Sequence, residues 1–313
     1  MSLNLNELDT ESVNPKSKNI DTMDTMGILN IINEEDKTVA YAVEKTLPDI
    51  ALLIDAVYPR MLKGGRVIYI GAGTSGRLGV LDASECPPTY GVDASLIQGM
   101  IAGGFGALLK AKEGAEDDPA LARLDLEKIL LTADDTVIGL AASGRTPYVI
   151  GGLDYANEVG AYTGAISCVN HAEISRHAKA KIEAVVGPEV ITGSTRMKAG
   201  TAQKMILNMI STSLMIKYGK VYGNLMVDVQ PTNEKLVERA KRIIASSSGC
   251  SYEDAAGFLE KSGSNVKIAI CMALTGLSRE NCDIILKRNQ NNISRAIRSL
   301  KEGSSETVQA NAK

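Results

Sequence analysis

The chain changes rhythm three times between its polar start and its polar end. Residues 1–20 are polar and broken by Pro15, which predicts an N-terminal arm. From Asp24, apolar residues recur at helical spacing through Met26, Leu29, Ile32, Val39, Ala42 and Val43, as far as a break at Leu47-Pro48. A second helix is expected over Asp49–Met61, stopped by Gly64-Gly65. At Arg66 the pattern switches to short, nearly continuous apolar runs: Val67–Ile70, Ser95–Ile101, Thr136–Ala141, Thr163–Cys168 and Ile182–Val186. Enough chain for a helix separates each run from the next. Buried parallel strands alternating with helices have this signature. The expected fold is α/β, a doubly wound five-stranded parallel sheet with N-terminal helices.

Past Pro188 the pattern is helical. Gly200–Tyr218, carrying Met205, Ile206, Met209, Leu214 and Met215, predicts a long buried helix. Short amphipathic helices are expected beyond Pro231, one opened by a capping box at Ser251–Asp254 and another after Ser278. The expected organisation is an arm at 1–20, a sheet domain with flanking helices at 21–230, a small C-terminal helical module at 231–302 and a disordered tail at 303–313. The tail is too polar to fold alone. No internal repeat is evident.

A chain of 313 residues can bury a sizeable core. With ten Tyr, two Phe and no Trp, that core is aliphatic, and stacking platforms for bases are not expected. Lys and Arg number 34 against 37 Asp and Glu, a balance unlike that of a nucleic-acid surface. No apolar run approaches the roughly 18–20 residues needed to cross a bilayer, and the first ten residues do not resemble a signal peptide. Five cysteines show no paired framework, pointing to a reducing cytoplasm.

Candidate chemistry lies in the turns. Gly71-Ala-Gly-Thr-Ser-Gly76 matches a dinucleotide-binding fingerprint, but the second strand ends in Gln98-Gly-Met-Ile-Ala-Gly103 without the acidic residue that would hold a ribose. Its Gly73, Thr74 and Ser75 suit a compact dianion better. So do Ser143, Gly144, Arg145 and Thr146 after the third strand, and Ser194 and Thr195 before the long helix. Strand carboxyl ends, helix N-termini and hydroxyls together can surround a monophosphate. A single turn of this kind is more simply a cap or turn former; several in one sheet favour phosphate. Arg77, Arg145 and Arg196 follow these turns, where two readings stand: pairing with a substrate oxyanion, or bridging neighbouring elements.

Among the carboxylates, Glu85 precedes a rigid Pro87-Pro88 pair that suits a held side chain, although most acidic residues are solvated surface charges. Glu116, in Glu113-Gly-Ala-Glu-Asp-Asp118, reads by itself as the acidic start of a surface helix. Spacing does not show whether the two face each other. His171 and His177 are the only histidines, so no metal site is expected, and Cys86 has no local activating partner. Carboxylate acid–base chemistry is the mechanism best supplied.

These segments resemble the N-acetylmuramic acid 6-phosphate etherases of the sugar isomerase (SIS) domain family. The resemblance rests on Gly71–Tyr90, Glu113–Asp117, Ala141–Tyr148, Gly193–Lys204, Lys220–Asp228 and Asn233–Lys235, in order across about residues 9 to 300. It implies removal of D-lactate from a muramic acid 6-phosphate by elimination and hydration, in the cytoplasm, without cofactor or metal. It further implies Glu85 as the acid that helps lactate leave and then prepares water, and Glu116 as the base at C2. Thr74, Ser75 and Ser143 would hold the sugar phosphate, with Ser194 and Thr195 as further candidates. The implied partners are a sugar phosphate and a second copy of the chain, with no nucleic acid or membrane. Two other readings remain: a non-catalytic sugar-phosphate sensor, as in glucokinase regulatory proteins, and an aldose–ketose isomerase. Both glutamates argue against the sensor, and the lack of a suitable histidine for ring opening argues against the isomerase.

Overall fold

The structure, a computed structural model, describes residues 9–110, 112–229, 231 and 233–310, the last eight of these by backbone alone. The chain divides into two compact units, residues 1–85 with 93–212, and residues 86–92 with 213–313.

The first unit opens on two helices, α1 (Thr25–Glu44) and α2 (Leu47–Leu62). Asp24 caps α1 by accepting the Gly27 N–H at 2.8 Å. Helix α2 begins two residues earlier than the sequence suggests. Pro48 falls in its first turn, where no intrahelical N–H is needed, so the proline opens a helix rather than breaking one.

Strands β1 (Val67–Gly71), β2 (Ile97–Ile101), β3 (Thr136–Leu140), β4 (Tyr162–Ser167) and β5 (Ala180–Glu183) form one parallel sheet in the order β2-β1-β3-β4-β5. Helices α3 (Gly73–Tyr90), α4 (Pro119–Lys128), α5 (Pro147–Val159), α6 (Glu173–Arg176) and α7 (Lys198–Lys217) accompany it. Every residue of β1 and β3 is buried, which is why both read as unbroken apolar runs. The five-stranded parallel sheet expected from the sequence is therefore present.

The polar segment before α1 is anchored rather than loose where it is described. Thr10, Asn14 and Ser17 are buried among short 3-10 turns. Asn14 donates to Glu35 Oε2 at 2.9 Å, and Ser17 Oγ donates to the Val190 carbonyl at 2.7 Å. Residues 1–8 of the expected arm lie outside the described residues.

The second unit carries a two-stranded hairpin, β6 (Val221–Tyr222) and β7 (Leu225–Met226), and helices α8 (Glu234–Ser248), α9 (Tyr252–Lys261), α10 (Val266–Thr275), α11 (Arg279–Arg288) and α12 (Ile293–Ala310). Their shared core includes Ala240, Ile244, Ala255, Ala269, Ile270 and Cys271. Ser251 caps α9 by accepting the Asp254 N–H, and its hydroxyl donates to Asp254 Oδ2 at 2.8 Å. The backbone of α12 runs to Ala310, through much of the segment expected as a tail; the side chains of 303–310 and residues 311–313 lie outside the described residues.

Candidate active site

Strand order reverses direction between β1 and β3, and the crevice at such a switch point is where doubly wound sheets bind ligands. The turns leaving β1 and β3 flank it. Gly71 pairs with Leu140, so the Gly73–Ser75 and Ser143–Thr146 segments leave adjacent strand ends. Gly144 has φ of +71°, and a β-carbon there would meet the Ala172 Cβ at 2.5 Å, so only glycine fits this turn. The third hydroxyl-rich turn joins the first: a β-carbon on Gly200 would lie 3.5 Å from Thr74 Cγ2 and 3.6 Å from the Thr195 carbonyl oxygen.

The three helix N-termini at these turns are not equivalent. At α7, Glu189 accepts the N–H groups of Lys198 and Ala199, each at 2.9 Å, so those two donors are already taken. At α5, Pro147 has no N–H and the Tyr148 N–H is donated to the Glu116 carbonyl at 2.9 Å. Only α3 opens on N–H groups, those of Gly73, Thr74 and Ser75, without intrahelical acceptors. Thr74 is half-buried above this turn, while Ser75 is buried and donates to Gln203 Oε1 at 2.8 Å. Ser75 thus ties α3 to α7.

A cavity of about 170 Å³ opens beside this terminus, lined by Gly73, Arg77, Lys112, Glu113 and Glu116 among others. The sequence placed Glu116 in an acidic stretch; its cavity position comes from the turn before α4 folding back toward α3. Arg77 donates from Nε to the Leu108 carbonyl at 3.0 Å and from Nη2 to the Ala107 carbonyl at 2.8 Å. It therefore fixes the Phe105–Leu108 3-10 turn at the cavity edge as well as lining the cavity. Arg145 and Arg196 are exposed, and neither has an ion-pair partner among the described residues. Thr146 stands at the N-cap of α5 without a side-chain capping bond; Ser143, Ser194 and Thr195 are half-buried.

Glu85 is not in this cavity. It lies twelve residues along α3 from Gly73, a helical rise of roughly 18 Å, and its side chain is exposed, as is that of Glu116. Among the described residues neither carboxylate has a hydrogen-bond or ion-pair partner. Pro87 and Pro88 lie inside the last turns of α3, so the segment at Glu85 is helical, although two backbone N–H donors are missing there.

Several polar groups that shape this unit are invisible in local sequence. Asp82, one turn before Glu85, accepts from Asn208 Nδ2 at 2.8 Å and Ser211 Oγ at 3.0 Å, holding the second half of α3 on α7. Burial raises the Asp82 carboxyl above its usual value, against those hydrogen bonds. Lys198, 2% exposed, donates to Glu35 Oε2 at 2.7 Å. These partners are more than a hundred residues apart, and only the glycine, serine and threonine turns gave a local signal. His177 pairs with Asp154 at 2.6 Å, and the His171 backbone N–H donates to Glu183. Among the described residues there is no cluster of three or more His, Cys, Asp or Glu side chains able to hold a metal.

Residues 49–157 match the glucokinase regulatory protein N-terminal SIS domain, and residues 120–213 match the SIS domain. An N-acetylmuramic acid 6-phosphate etherase from Clostridium botulinum (strain Eklund 17B) is 69% identical over 296 residues, covering 95% of this chain and 98% of its own. Relatives of the same name from Clostridium beijerinckii and Clostridium botulinum (strain Loch Maree) are 56% and 54% identical, each over at least 95% of this chain and 98% of theirs. A phosphoheptose isomerase structure from Neisseria gonorrhoeae is similar at a TM-score of 0.49 and 13% identity, over 61% of this chain and 98% of its own. With identity of this level running almost end to end, the chain belongs to the N-acetylmuramic acid 6-phosphate etherase family.

Proposed function

We propose that this chain cleaves the D-lactyl ether of N-acetylmuramic acid 6-phosphate, giving N-acetylglucosamine 6-phosphate and D-lactate in amino sugar recycling. The observation that carries the reading is the 69% identity to an etherase over 98% of that relative's length. The open N-terminus of α3 and the hydroxyls of Thr74, Ser143, Thr146, Ser194 and Thr195 hold the phosphate, because a helix N-terminus with hydroxyl-rich turns beside it suits a compact dianion. Ser75, Gly73 and Gly144 shape that cradle, and Arg77 and Arg145 add positive charge at its edge. In the open-chain aldehyde the carbonyl acidifies the C2 proton. Glu116 removes it, the C3–oxygen bond breaks, and lactate leaves as Glu85 donates a proton to the departing oxygen. Water activated by Glu85 then adds at C3 and the proton returns to C2, so the net change is hydrolysis.

A sugar held beside Glu116 is a helix length from Glu85 of the same chain. The reading is therefore of a homodimer in which Glu85 of one copy serves the cavity of the other. The proposed location is the cytoplasm, where phosphorylated sugars are handled; no helix among the described residues is long and apolar enough to cross a membrane. The match of residues 49–157 to a regulatory protein's domain favours a second reading, a sugar-phosphate sensor without catalysis.

The deciding experiment incubates the protein with N-acetylmuramic acid 6-phosphate in heavy-oxygen water, alongside Glu85→Ala and Glu116→Ala. Lactate release with the heavy atom on C3 of the sugar, impaired in both variants, is expected. Binding of the sugar phosphate without any lactate release would leave the sensor reading in place of the enzyme.

A further inference from the structure

The Lys220–Asp228 segment is among the motifs the catalytic reading leaves unused. It follows α7 through the β6–β7 hairpin and ends on a carboxylate that two lysines share. Lys220 Nζ lies 2.8 Å and Lys267 Nζ 2.9 Å from the same oxygen, Asp228 Oδ2. Both lysines are largely enclosed, with side-chain exposures of 15% and 8%. One lysine would suffice to neutralise Asp228. The second brings like-charge repulsion and an uncompensated positive charge into a low-dielectric site, a costly arrangement unless an anion joins it. Burial pulls the Lys267 ammonium below its usual value in spite of Asp228, consistent with a cation still short of negative partners.

Space for that partner is present. Lys220, Asp228 and Lys267 line a cavity of about 240 Å³. Its remaining acidic wall residue, Asp283, is already paired with Lys287 at 2.6 Å. Asn265, also in the wall, caps α10 by accepting the Ile268 N–H at 3.0 Å, which sets the N-terminal end of that helix beside the cavity although this one donor is taken. Tyr218 and Asn291 also line it, neutral polar residues of the kind that recognise hydroxyls. Two ammonium groups, a helix terminus and neutral hydrogen-bonding walls describe a receptor for a small polyol carrying one oxyanion.

We propose that this cavity in the helical unit is a second anion-binding site, which takes a monosaccharide bearing a single phosphate or carboxylate. The inference does not depend on the catalytic reading. Titration calorimetry on the full chain tests it, with N-acetylglucosamine 6-phosphate and gluconate as probes for the two sources of the anion, and neutral N-acetylglucosamine as the control. A Thr74→Val background weakens the first site and separates the two readings. In that background at least one anionic probe is expected to bind one equivalent per chain, while the neutral sugar does not bind. Lys220→Met and Lys267→Met should each weaken this event by at least about tenfold, the loss expected for a hydrogen bond to a charged group. Asp228→Asn should act in the opposite sense and tighten it, because it removes the competing carboxylate. If that variant folds poorly, a larger rise in Tm with the anion than the parent shows is the equivalent result. Absence of binding of both anionic probes overturns the proposal. So does unchanged affinity in both folded lysine variants, or weaker binding in a folded Asp228→Asn protein.

Discussion

The Tyr148 N–H donates a 2.9 Å hydrogen bond to the carbonyl oxygen of Glu116, while the Tyr148 hydroxyl donates to Asp125 Oδ2 at 3.0 Å. One residue of α5 thereby holds both the turn that carries Glu116 and the helix that follows it. The backbone of Glu116 is fixed at the strand ends even though its carboxylate is free to meet a ligand.

Gly151 makes that arrangement testable. A β-carbon there would lie 2.0 Å from the Pro119 carbonyl oxygen and 2.7 Å from its carbon, so α4 and α5 touch backbone to backbone. Gly151→Ala must push Pro119 away, and with it Glu116 three residues earlier. The expected cost is about 2–3 kcal/mol of stability, in the range for overpacking. Lactate release per folded molecule should fall as well. Denaturant melts and a lactate assay on the same preparation check both; an unchanged midpoint would disprove the close approach.

Arg77→Met removes both hydrogen bonds to the Ala107 and Leu108 carbonyls. Bonds from a charged donor contribute roughly 1.5–3 kcal/mol each. Because these lie at the cavity edge, the variant should cleave faster near Phe105 in limited proteolysis and lose at least about tenfold in kcat/KM. Wild-type protease resistance in Arg77→Met would show that the turn does not depend on this side chain.

Acid sensitivity should trace in part to Glu35. Burial alone would raise its carboxyl, but hydrogen bonds from Lys198, Lys16 and Asn14 override that and lower it from 4.5 to about 2. A carboxylate with a lowered folded value stabilises the protein fully above its unfolded value and loses that contribution as pH falls toward the folded one. The wild type should therefore exceed Glu35→Gln by about 3 kcal/mol near neutrality. That gap should close between about pH 4.5 and pH 2, as followed by Tm against pH. A gap independent of pH would contradict the assignment.

Glu85 and Glu116 offer a test by mixing. If Glu85 of one copy serves the cavity of another, co-refolded Glu85→Ala and Glu116→Ala chains form hybrids with one intact site. Activity should return to roughly a quarter of the wild type for random dimers. No recovery, with hybrid formation verified by tagged chains, would place both glutamates of each site in one chain.

The sheet was legible because β1, β3 and β4 are almost wholly buried and so are mainly apolar, with only small hydroxyl residues such as Thr136, Thr163 and Ser167 admitted. The edge was harder. The sequence suggested Ile182–Val186, whereas β5 pairs through Ala180–Glu183, with Lys181 and Glu183 included. Edge strands admit charge, and Glu183 accepts the His171 and Ala172 N–H groups. The turns of the candidate site stood out because glycine and hydroxyl residues cluster there for local reasons. What those turns do not reveal is which helix terminus remains open. That depended on Glu189 reaching the start of α7 nine residues on and on Glu116 reaching α5 from another turn, contacts that no local motif announces. Lys112 gave no signal at all, since one lysine near a loop is ordinary until the loop closes over a cavity.

The pairing of Glu35 with Lys198 also orders events in time. A ribosome makes α1 long before it makes the residue that completes its buried ion pair, 163 positions later. Until then Glu35 has only Lys16 and Asn14 nearby in sequence, and it stays in water, where a carboxylate is cheaply solvated. The first helix of the chain is thus expected to be among the last parts to lock. A nascent chain arrested before α7 should hold its sheet strands more firmly than its own beginning.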